Sequence, residues 1–85
     1  MGAVGEGWLI DRDRRWSFRF HRDPKSWVRD PRVFVDHGRG MPNGQPALLK
    51  SRRYLSDEDA RKFWIELVRN GWAPTSPVWG ADAEP

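Results

Sequence analysis

The chain has 85 residues, 38% hydrophobic and 32% charged, with a mean hydropathy of −0.84; either half alone would be too small to bury a useful core, so it reads as one domain. Six Trp and four Phe exclude a disordered reading, because disordered segments are poor in aromatics. The absence of Cys excludes disulfides, thiolate nucleophiles and Cys-ligated metals, and the net charge of +3 with a pI near 10.0 excludes a strongly acidic protein.

From the N-terminus, MGAVGEGWLI has neither a basic leader nor a long apolar run. Glu6 stands where a myristoylation motif beginning at Gly2 needs Ser or Thr. No apolar run approaches the roughly 20 residues that cross a bilayer, so a cytoplasmic protein with no membrane partner is expected. Gly7-Trp8-Leu9-Ile10 is a short strand candidate, and the polar Asp11-Arg12-Asp13-Arg14 reads as the turn of a hairpin. Arg15 to His21 then alternate, with Trp16, Phe18 and Phe20 on one face and Arg15, Ser17, Arg19 and His21 on the other. Asp23-Pro24 and Asp30-Pro31 punctuate a loop that carries Trp27 and Val28. Arg32 to Asp36 is a third strand candidate. His37 to Pro46, with three Gly and two Pro, reads as an irregular loop. Ala47 to Arg53 is a fourth strand or an extended approach to the helix.

The helix is the clearest element. Ser56 is an N-cap followed by three acids, Asp57, Glu58 and Asp59, over the positive end of the dipole. Ala60, Phe63, Trp64, Leu67 and Val68 form one apolar stripe. Asn70-Gly71 ends the helix, with Gly71 left-handed and Trp72 folding back on Leu67, so the helix is predicted over 57–70. The expected fold class is therefore α+β: a small antiparallel sheet of three or four strands, with one C-terminal helix packed on one face against Trp16, Phe18 and Phe20. Residues 1–85 form a single domain, ordered over about 7–79, with a disordered tail at 80–85.

The ordered set GWLI, SW, DP, PNGQPALLKSRR, an "A…FW" helix, GW and a final Pro-Val-Trp resembles a family of small cyanobacterial proteins of unknown function, common in marine unicellular species. The likeness covers roughly residues 7–79, and QPALLKSRR is its most distinctive part. It implies a cyanobacterial cytosolic protein standing alone as one domain, and brings no catalytic residues with it.

Enzymatic chemistry finds no support in the residues. His21 and His37 lack ligand spacing for a metal, no serine lies in a nucleophile elbow, and Gly38-Arg39-Gly40 is not followed by the Lys-Ser/Thr of a phosphate loop. No cofactor and no small-molecule substrate are expected. The outer face of the helix mixes Glu58, Arg61, Lys62, Glu66 and Arg69 and reads as solvated surface.

Charge is uneven along the chain. Residues 1–55 hold 12 Lys and Arg against 6 acids, whereas residues 56–85 hold 3 against 6. In LLKSRRY, parity points Leu49, Ser51 and Leu55 inward and Lys50, Arg52 and Tyr54 outward. The expected site is a basic sheet face of Arg15, Arg19, Lys50, Arg52 and Tyr54, with Arg53 beside it as a further binding residue, suited to sequence-tolerant RNA or DNA binding. The competing reading is a protein adaptor, which would offer Trp27, Trp79 or the same cations to an acidic protein.

Overall fold

Alternation of side chains along each strand lets one face of a sheet collect apolar residues while the other collects mixed ones. A computed structural model of the protein describes residues 4–85; residues 1–3, including Gly2, lie outside the described residues. Five strands and one helix follow in the order β1 (Gly7–Ile10), β2 (Ser17–Arg22), β3 (Arg32–Arg39), β4 (Leu48–Ser56), α1 (Asp57–Arg69) and β5 (Ala73–Thr75). All pairings are antiparallel, and the sheet order is β4-β3-β2-β1-β5.

Leu9, Phe20, Val33, Val35 and the half-buried Phe18 and Leu55 share the face that meets α1, which contributes Ala60, Trp64 and Leu67. Phe18 and Phe20 meet the helix as the alternation predicts. Phe18 lies 5.2 Å from Phe63 and 5.0 Å from Trp72, and Phe20 lies 5.1 Å from Trp64. Trp16 falls outside this cluster, half-buried against His37 at 5.0 Å.

Both ends of α1 are closed by the expected residues. The Ser56 hydroxyl accepts the backbone N–H of Asp59 at 3.1 Å. At the other end Trp72 N–H reaches the Leu67 carbonyl and Gly71 N–H the Val68 carbonyl, with Gly71 at φ +95. These are the two bonds of a Schellman motif.

Three expectations need correction. The sheet has five strands rather than three or four, because Ala73–Thr75 adds to the edge of β1, with Pro74 opposite Leu9. Three residues containing a Pro carry little strand signal, yet a Pro is tolerated at an edge, where its missing N–H costs no ladder bond. His37, Gly38 and Arg39 belong to β3 rather than to a loop, since they pair with β2 and β4. The third correction lies in β4. His37 pairs with Ser51 but Gly38 pairs with Leu49, so Lys50 is an extra residue at a bulge. Leu49 therefore turns to the face away from the helix, not toward it. Gly38 is required there, because a Cβ would stand 2.7 Å from the Leu48 carbonyl oxygen.

The two sheet edges differ. β5 is three residues long and carries Pro74, whereas β4 is nine residues long and includes Lys50, Arg52 and Arg53. The C-terminal segment after β5 crosses the face opposite α1 and buries Trp79 there against Trp8, edge-on at 4.6 Å.

Candidate nucleic-acid interface

Register places side chains of the open face in cross-strand rows. One row runs Trp8, Arg19, Asp36, Arg52; the next runs His21, Phe34, Tyr54. The second row places three flat rings side by side. Phe34 lies 5.4 Å from His21 and 4.9 Å from Tyr54, both tilted. Tyr54 is half exposed, and the Arg52 guanidinium sits 4.3 Å above the Phe34 ring.

Asp36 organises this face. It is fully buried, accepts Arg52 Nε at 2.7 Å and Nη2 at 3.0 Å, and lies 2.8 Å from His21 Nε2. Burial opposes its charge, but the hydrogen bonds from Arg52 and His21 and the Arg52 charge outweigh that, and hold the carboxyl below its ordinary value. The same hydrogen bond raises Arg52 above the ordinary guanidinium value. At the far end of the ring row Tyr54 donates its hydroxyl to Asp23. That bond lowers the Asp23 carboxyl and raises the Tyr54 phenol.

The six residues singled out by sequence fall into two groups. Arg19, Arg52 and Tyr54 share the open face, as strand parity predicts. Each is engaged there: Arg19 with the Ala81 carbonyl at 3.1 Å, Arg52 with Asp36, and Tyr54 with Asp23. Arg15, Lys50 and Arg53 lie elsewhere. Arg15 sits in the β1–β2 turn, where its backbone N–H is held by Asp11 at 2.8 Å. Lys50, released by the bulge, places its ammonium 5.0 Å from the Trp16 ring, beside the Arg39 guanidinium at 5.6 Å. Arg53 is on the helix-bearing face, 4.9 Å from the Phe63 ring. Among the described residues, the side chains of Arg15, Lys50 and Arg53 have no carboxylate within 4.0 Å. His37, close to Lys50, is held below its ordinary value by burial and by that ammonium.

Phe34, Asp36 and Trp8 complete the face and were absent from the sequence-based set. Their signal was present: Val33 and Val35 claim one face of β3, which leaves Phe34 and Asp36 on the other. In the loop before β3, Trp27 is 79% and Val28 95% exposed, beside Lys25 and Arg29. No helix among the described residues is long and apolar enough to cross a membrane.

A family model described as a protein of unknown function, DUF1651, matches residues 6–79. No curated protein and no solved structure matches the chain.

Proposed function

We propose, for a chain that belongs to the DUF1651 family of unknown function, that it binds single-stranded RNA or DNA without sequence preference and performs no catalysis. The observation that carries this reading is the row His21, Phe34, Tyr54 on the open sheet face, with Arg52 over Phe34. Adjacent rings on a sheet are surfaces on which successive bases stack, and every base has a π-face. Lys50 and Arg53 approach from the other side of β4, which is an edge strand, so a nucleic-acid backbone along that edge meets uncompensated cations. α1 carries acids and bases in mixture, and Ala60, Phe63, Trp64 and Leu67 face the sheet while Val68 is exposed, so no basic helix is offered to a duplex groove. The QPALLKSRR likeness adds the expectation of a cyanobacterial cytosolic protein.

Titration with single-stranded and duplex oligonucleotides tests the proposal. Single strands bind better, and affinity falls with salt at a log–log slope of roughly 0.7 per phosphate neutralised. Lys50→Ala with Arg53→Ala flattens that slope by about two phosphates' worth. Phe34→Ala and Tyr54→Ala lower affinity at every salt concentration, by about 1–3 kcal/mol per base unstacked. No binding even at about 50 mM salt, where phosphate contacts are strong, would leave the protein-adaptor reading, which the exposure of Trp27 and Val28 favours.

A further inference from the structure

The half of the open face beneath the C-terminal segment holds the same kinds of groups as the bare half. Trp8 offers a ring, with the Arg19 guanidinium 5.5 Å from it. Arg52 directs Nε and Nη2 at Asp36, which leaves Nη1 for an outside partner. Trp79 lies edge-on to Trp8 at 4.6 Å, and the Ala81 carbonyl accepts Arg19 Nη1. The Glu84 carboxylate lies 3.7 Å from Arg52 Nη1. A flat ring, a hydrogen-bond acceptor and an anion thus occupy one aromatic side chain and two guanidinium groups.

We infer that Trp8, Arg19 and Arg52 form a second nucleotide subsite, which the segment Val78–Glu84 fills in cis. Trp79 stands where a base would pack, and Glu84 stands where a phosphate would meet Arg52. The inference rests on the nucleic-acid reading above and extends its surface by one row of the sheet.

Features of the cover favour its exchange. Trp79 Nε1 is buried without a hydrogen-bond partner, which penalises the covered state. Glu84 is 67% exposed, and exposed ion pairs hold weakly. A cavity of about 500 Å³ remains between the segment and the β3–β4 loop, bounded by Met41, Ala47 and Leu49 on one side and Val78, Trp79 and Ala83 on the other. The segment therefore leaves open space on the side that faces this loop. A backbone phosphodiester carries one negative charge, like the carboxylate it replaces, and accepts the same charge-assisted hydrogen bonds from a guanidinium. While the segment is seated, apparent affinity for nucleic acid is reduced by the fraction of open chains.

Fluorescence anisotropy with a labelled single-stranded oligothymidylate at about 50 mM salt tests this on the full chain, on Glu84→Gln, and on a chain ending at Pro77. The charge variant is expected to bind about two- to fivefold tighter, as removal of a competing surface carboxylate allows. The truncated chain is expected to bind about tenfold tighter, the effect of one further stacked base, and to cover more nucleotides per protein. A synthetic peptide of residues 76–85 added to the truncated chain should return its affinity toward the parent value. Circular dichroism reports whether truncation, which removes the buried Trp79, preserves the fold. Should it not, the charge variant decides alone. A parent that binds while the folded variants bind no tighter overturns the subsite and leaves the ring row standing. A parent and variants that all fail to bind overturn both.

Discussion

Asp36 is the residue on which the open face depends most. Fully buried and held by Arg52 and His21, it is a charge whose removal from water is offset only by those partners. Arg52 is therefore not a free surface cation, although strand parity alone makes it look like one. Arg52→Ala should destabilise by about 3–5 kcal/mol, the range for breaking a buried pair from one side. Adding Asp36→Asn to that variant should restore much of the loss, a coupling that a double-mutant cycle measures by chemical denaturation. The protonation behaviour follows the same logic. Asp36 has a folded value below its ordinary one, so its ionised form stabilises the native state above about pH 3.9. This contribution disappears as pH falls through the lowered folded value. His37, also lowered, adds a loss that begins as pH falls below about 6.5, because the unfolded chain takes up that proton first. Melting temperatures followed from pH 8 down to the acid limit should fall in two stages in the parent. Asp36→Asn should keep the stage near neutrality and weaken the acid one, to which Asp23, also lowered, still contributes.

Elements with a strong local pattern were legible, and those fixed by distant pairing were not. α1 could be read to within a residue because its stripe, N-cap and left-handed Gly71 all lie in one short stretch. Ser56→Ala should cost about 1 kcal/mol by leaving a backbone N–H of the first turn uncapped. Gly71→Ala should cost a similar amount, because its φ of +95 strains any residue with a Cβ, and that Cβ would also displace the Arg12 side chain. Thermal denaturation of the two variants checks both, and a Gly71→Ala chain more stable than the parent would contradict the left-handed terminus. β2 was readable from its alternation, and β1 as a short apolar run before a polar turn. β5 was not, since three residues with a Pro become a strand only when the edge of β1 is there to receive them. The bulge at Lys50 was hidden for a related reason: it arises from the close approach of Gly38 to Leu48 and Leu49, and nothing within LLKSRRY records it. One unseen extra residue separated Lys50 from Arg52, whereas Arg53 lies on the helix-bearing face by strand parity and Arg15 in the β1–β2 turn.

Across the whole molecule, the unequal edges of the sheet govern how copies meet. β5 is short and broken by Pro74, so further pairing there is discouraged. β4 offers nine residues of strand, and its protection is the positive charge of Lys50 and Arg53, since Asp36 neutralises Arg52. In a two-fold, antiparallel contact between two β4 edges, those cations would come near their own copies, and like charges across a strand pair are destabilising. The colloidal behaviour of the protein then depends on ionic strength in the sense opposite to its affinity for a polyanion. Added salt shortens the Debye length from about 10 Å at 0.1 M to about 3 Å at 1 M, which loosens phosphate contacts but also lifts the mutual repulsion of the edges. Sedimentation velocity should therefore show monomers in dilute salt and a self-association that grows as salt is raised. Lys50→Ser with Arg53→Ser should shift that onset to lower salt. The cations of β4 thus act as a solubility device whenever no anion is bound, and the solutions that strip nucleic acid from the protein are those in which it is most prone to self-associate.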